Sequence, residues 1–199
     1  MKRKHVRMAV VGSLVLALGA VAPLTLAGVV VTAEETGGDV VFAGGGSLDL
    51  SAWEPWDIGV SESVFLRPDI GASFGATPAS FIFYWDAPGF SGPETIGPGT
   101  EKIYADSGTG DLFYFSWGGR TSAVPYGYES GDMLGDSTAV YEGHTFESLG
   151  VTPGTYTWTW DTAAGGTDFF TINIVPEPSM LALAMLYAAG VAGLRRRQS

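Results

Sequence analysis

Two uncharged apolar runs, residues 8–22 and 179–194, bracket a body whose apolar positions come in short bursts separated by glycine and proline. Short bursts without helical periodicity predict strands. Val29-Val30-Val31 is β-branched, Gly37-Gly38 is a turn signal, and Val40-Val41-Phe42 starts a return strand that meets Gly44-Gly45-Gly46, a turn or bulge. Residues 47–51 alternate polar and apolar, which places Leu48 and Leu50 on one face of a half-buried strand. Residues 80–85 (S-F-I-F-Y-W) and 112–117 (L-F-Y-F-S-W) are expected as core strands, with a turn-rich stretch at 88–99 between them. Val151-Thr152-Pro153-Gly154 has the proline and glycine of a type II turn. Beyond it, Tyr156, Trp158 and Trp160 share one face and Thr155, Thr157 and Thr159 the other; Phe170, Ile172 and Ile174 then align across a turn at 162–167. This predicts a C-terminal β-hairpin whose second strand ends at Val175.

The two terminal runs differ in their flanks. Lys2, Arg3, Lys4 and Arg7 precede the first, and small residues lead out of it, which is the layout of a secretory signal peptide at 1–27 cut between Ala27 and Gly28. An uncleaved N-terminal anchor is the alternative, although the apolar centre is short for a span. The second run, 16 residues, reaches roughly 24 Å as a helix against a hydrocarbon core of about 30 Å, a short transmembrane helix. Arg195, Arg196 and Arg197 follow it directly, so the C-terminus is expected in the cytoplasm and the body outside. Pro176, Glu177 and Pro178 precede it, and the two prolines hold Glu177 extended and accessible.

The Pro-Glu-Pro triplet, short apolar helix and arginine cluster of residues 176–199 resemble the PEP-CTERM sorting signal of exopolysaccharide-producing Gram-negative bacteria. The preceding S-L-G-V-T-P-G-T-Y-T-W-T-W and T-I-N-I-V are similar to the ends of such proteins, and T-G-G-D-V-V-F-A-G-G-G-S-L-D-L more loosely to their openings. The resemblance implies recognition by exosortase, removal of the helix near Pro176-Glu177-Pro178, and transfer of the body to the cell surface or extracellular matrix. It implies a sorting route and a β-rich body, not a reaction. A plain C-terminal anchor is the alternative.

Composition narrows the body's role. Its basic residues are Arg67, Lys102 and Arg120 against twenty acidic ones, a net of −17 for residues 28–175, which repels nucleic acid. The chain has no cysteine, so disulfides, thiolate metal sites and a cysteine nucleophile are excluded. With 29 glycines and 13% aromatic residues, the expectation is an all-β body at 28–175, an antiparallel, jelly-roll-like β-sandwich flanked by the signal peptide and one C-terminal transmembrane helix.

Candidate chemistry is sparse. Asp106 with Asp111, and Asp132 with Asp136, stand in glycine-rich loops as candidate calcium ligands; simple turn chemistry is the competing reading, and no cofactor is assigned. His144 is the body's one histidine, and no Gly-x-Ser-x-Gly elbow occurs, so no catalytic residue is assigned. Paired carboxylates keep a secreted hydrolase open as a lesser reading. The expected function is a non-enzymatic surface or matrix component that exits through the Sec machinery and signal peptidase, is held transiently in the inner membrane, and is then released by exosortase. The alternative is a carbohydrate-binding module for exopolysaccharide, with Trp53 and Trp56, in a proline-containing segment expected to be poor in strand, as its sugar contacts.

Overall fold

The computed structural model describes residues 28–176. Twelve strands and one helical turn are present: β1 Gly28–Thr36, β2 Asp39–Ser47, β3 Glu54–Ser61, β4 Phe65–Arg67, β5 Gly71–Phe74, β6 Ala79–Trp85, β7 Ile103–Tyr104, β8 Phe113–Ser116, β9 Thr121–Pro125, β10 Met133–Tyr141, α1 Phe146–Leu149, β11 Gly154–Asp161 and β12 Thr167–Val175. They form a five-stranded sheet in the order β10-β2-β1-β12-β11 and a seven-stranded sheet in the order β3-β6-β9-β8-β5-β4-β7. Every pairing is antiparallel except β1 with β12, which run parallel at the centre of the smaller sheet. The body is therefore all-β and sandwich-like.

Period-two alternation decides which faces meet. Val29, Val31 and Ala33 on β1, Phe42 on β2, Trp158 and Trp160 on β11, and Phe170 and Ile172 on β12 are all fully buried. They close on Phe74, Phe113 and Phe115 of the larger sheet. Phe115 stacks on Phe170 with centroids 4.3 Å apart, and Trp117 on Trp158 at 4.8 Å, so large aromatic rings supply much of the inter-sheet contact.

The C-terminal hairpin forms as its alternation predicts, with Trp158 opposite Phe170 and Tyr156 opposite Ile172, and β12 ends at Val175. Gly37 and Gly38 both adopt positive φ in the two-residue β1–β2 turn.

Four local expectations are corrected. Gly44-Gly45-Gly46 is not a turn but continues β2. A Cβ on Gly44 would stand 2.1 Å from the Val30 carbonyl oxygen, and the irregularity lies in the partner strand β10, between Leu134 and Ser137. Residues 48–50 leave the sheet although Leu48 and Leu50 are buried. Their amides are taken by side chains instead: Leu48 N–H by the Tyr128 hydroxyl at 2.8 Å, Asp49 N–H by Asp168 Oδ2 at 2.6 Å, and Leu50 N–H by Ser130 Oγ at 2.9 Å. Gly154 does not adopt a positive φ and so is not the left-handed residue of a type II turn; the left-handed glycine nearby is Gly150, the C-cap of α1 at φ 69°, whose N-terminus is closed by a capping box of Thr145 and Ser148. Finally, the segment after Trp53 is strand β3 rather than strand-poor.

Both edges of the smaller sheet are covered by single bridges, Ser91 to Thr159 against β11 and Ser107 to Val140 against β10. The larger sheet ends on β3, where Ile58 and Val60 remain exposed. They share a face with Ile82, which is partly buried against the core, so this end of the sheet overhangs its partner.

Candidate functional site

The outer face of the larger sheet carries an aromatic surface that the core does not use. Phe83, Ala123, Tyr114 and Ser73 are successive register partners across β6, β9, β8 and β5, so they share a face. Their neighbours Ile82, Val124, Phe115 and Ala72 point the other way, into the sandwich. Trp56 joins the outer row through a β-bulge: Pro55 pairs with Tyr84 and Asp57 with Phe83, leaving Trp56 as the extra residue. The bulge sets its ring 6.1 Å from Phe83 and 6.5 Å from Trp85, and Trp56 is 66% exposed. Phe83 lies 6.3 Å from Tyr114, which lies 5.6 Å from Phe65. The Lys102 ammonium sits 4.0 Å over the Phe65 ring and ends the row.

Apart from Trp85, the residues of this outer row line a trough of about 300 Å³, with Phe81 beside them. Ser61, Ser73 and Thr121 add hydroxyls to its wall, and no carboxylate lines it. Ser73 Oγ also accepts the Phe65 amide at 2.9 Å, which fixes β4 against β5 at the trough floor. Burial pushes the Tyr114 phenol above its ordinary value, opposed by the Ser116 and Thr121 hydroxyls, so it stays protonated at neutral pH.

The residues singled out from sequence are distributed differently. Trp56 is in the trough, but Trp53 is only 4% exposed, packed edge-on to Trp160 at 5.3 Å and near Phe90 and Phe115. It is out of reach of a surface ligand. Residues 80–85 form a strand that packs Ile82 and Tyr84 against the core as expected, while Phe83 lies half-buried on the outer face and Trp85 is exposed. Phe113, Phe115 and Trp117 are buried as expected. Sequence reasoning missed Phe65, Phe81, Phe83, Tyr114 and Lys102 as site residues. Lys102 had a signal in being one of three cations in a strongly acidic body.

Three of the four loop aspartates act as backbone caps. Asp106 Oδ2 accepts Glu142 N–H at 2.8 Å, Asp111 Oδ2 accepts Gly135 N–H at 2.7 Å, and Asp132 Oδ2 accepts Glu129 N–H at 3.1 Å. Asp136 makes no such contact among the described residues. Among those residues, no group of three or more histidine, cysteine, aspartate or glutamate side chains is placed to hold a metal. His144 lies beside the capping box of α1, its Nδ1 3.1 Å from Ser148 Oγ.

At the C-terminal end, Pro176 is exposed immediately after β12, beside a second concavity of about 610 Å³ bordered by Glu35, Phe146 and Pro153. Gly28 is the first residue of β1. Ala27, Glu177, Pro178, Arg195, Arg196 and Arg197 lie outside the described residues, as do the signal peptide at 1–27 and the apolar helix expected at 179–194. Among the described residues no helix is long and apolar enough to cross a membrane.

No family model matches the chain, and no curated protein or solved structure matches it either. What the fold and site define is a class: an all-β, sandwich-like domain with an aromatic trough on the outer face of its larger sheet.

Proposed function

We propose that the chain is an exported, non-enzymatic component of the cell surface or extracellular matrix. In this reading a jelly-roll-like sandwich leaves the cytoplasm behind the signal peptide at 1–27. It is then held in the inner membrane by the helix at 179–194 until exosortase cuts near Pro176-Glu177-Pro178. The observation that carries the reading is the junction at Val175. The last core strand runs to that residue and Pro176 is exposed straight after it, so folded body and sorting tripeptide adjoin without a spacer. Replacing Pro176, Glu177 and Pro178 by alanine should leave the protein in the membrane fraction of a producing strain. Unchanged release would sink the sorting proposal.

A second reading, that the body is a carbohydrate-binding module for exopolysaccharide, is favoured by the trough. Aromatic faces carry negative π density that attracts the polarised C–H face of a pyranose, and wall hydroxyls match its edge. Trp56→Ala should lower retention on the strain's own polysaccharide, whereas Trp53→Phe, at a buried position, should not.

A further inference from the structure

The trough's charge is the opposite of the body's. Residues 28–175 carry twenty acidic side chains, yet none lines this wall, and one of the three basic residues does. The other two cations are differently engaged: Arg67 pairs with Asp69 at 3.0 Å, and Arg120 lies 5.9 Å from the centre of the Phe90 ring. Lys102 has no carboxylate within salt-bridge distance among the described residues. It is exposed, and Phe65 at 4.0 Å and Tyr104 at 5.9 Å steer its ammonium to the rim rather than neutralise it.

We infer that the trough binds a stretch of acidic polysaccharide, with successive pyranose units lying along Trp56, Phe83 and Tyr114 and the carboxylate of a uronic-acid unit at the end of the row on Lys102. This rests on the carbohydrate-binding reading above and adds the charge of the ligand to it. A neutral sugar gains only an ordinary hydrogen bond from an ammonium held at the end of the aromatic row, whereas a carboxylate gains a charge-assisted one. The Ser61 hydroxyl already donates to the Ser63 carbonyl at 2.8 Å, which leaves its oxygen to accept from a sugar hydroxyl, a contact that a wholly apolar anion does not use. The body's net charge of −17 opposes a polyanion at long range, but salt screens that beyond about 8 Å in physiological conditions. Recognition of the acid is therefore local, through a charge-assisted contact to Lys102.

The test is calorimetric titration of the full-length protein, purified in detergent, with a galacturonate hexamer, a glucose hexamer of equal length, and a medium-chain fatty acid. The galacturonate hexamer should bind more tightly than the glucose hexamer. Lys102→Met, which keeps the aliphatic stem, should weaken galacturonate binding about tenfold and glucose-hexamer binding far less, which removes the preference between the two. Trp56→Ala should weaken both, with an unchanged near-ultraviolet circular dichroism spectrum outside the Trp56 contribution. Equal affinity for the two hexamers, with no effect of Lys102→Met, overturns the uronate assignment and leaves the carbohydrate reading standing. Binding of neither hexamer overturns both, as does binding of the fatty acid alone.

Discussion

Four buried tryptophans in this core differ in one atom's circumstances. The indole Nε1–H of Trp117 donates to the Pro68 carbonyl at 3.0 Å, that of Trp158 to Pro93 at 2.7 Å, and that of Trp160 to Asp49 at 2.8 Å. Trp53 Nε1 is buried with no partner. Replacing tryptophan by phenylalanine removes a similar volume at Trp53 and Trp160. The edge-on contact between these two rings at 5.3 Å is disturbed in either variant, so much of the packing cost cancels in the comparison. What remains is the N–H. In Trp160→Phe a satisfied bond is lost and the Asp49 carbonyl is orphaned, at about 1–3 kcal/mol. In Trp53→Phe an unsatisfied donor is removed, which returns a desolvation cost of similar size. Trp160→Phe should therefore be less stable than Trp53→Phe by about 2 kcal/mol or more, read from urea denaturation midpoints at constant m. Equal destabilisation of the two, or a larger loss at Trp53, would refute the reasoning.

The glycine run in β2 makes a sharper prediction. Gly44→Ala drives a Cβ onto the Val30 backbone and should cost about 3 kcal/mol or more, whereas Gly37→Ala, in an open turn at φ 67°, should cost about 1 kcal/mol; thermal midpoints of the two variants separate the cases. Asp168 is 1% exposed, and burial raises its pKa above the ordinary value, with the Asp49 charge adding to the rise and the Asp49 and Phe169 amides opposing it. A raised folded-state carboxyl contributes stability that is fully present below the unfolded pKa and is lost as pH rises through the folded one. Wild type should therefore lose stability relative to Asp168→Asn as pH rises through the carboxylate range and then level off. A difference that grows in wild type's favour over that range contradicts the assignment. Tyr128, raised to about 12 chiefly by burial, should remain un-ionised in ultraviolet titration well past the ordinary tyrosine range.

How far the chain could be read followed from how local each signal was. Trp158 and Trp160 alternate with threonines and Phe170, Ile172 and Ile174 with mostly polar neighbours, so face, pairing and the end at Val175 were written in period two. The parallel pairing of β1 with β12 was not, because it joins residues at opposite ends of the body and leaves no local pattern. The trough was hidden for a different reason. In S-F-I-F-Y-W both parities are aromatic or apolar, so alternation cannot say that Phe81 and Phe83 face out while Ile82 faces in. Trp53 and Trp56 looked equivalent in sequence. A turn donating Trp53 N–H to Leu50 O buries the first, and a bulge beside Pro55 exposes the second. The apparent strand at 47–51 misled because its amides found Tyr128, Asp168 and Ser130, partners that no periodicity records.

The proposed sorting route requires that the body be cut at both ends and released. Intact mass spectrometry of the native product from a polysaccharide-producing strain, taken separately from medium, surface and membrane fractions, addresses that directly. The prediction is a species outside the cell that begins at Gly28 and ends close to Pro178, with the tripeptide-to-alanine variant retained in the membrane fraction. A full 199-residue chain in the producing strain, or a membrane-bound product still carrying Arg195, Arg196 and Arg197, would contradict it.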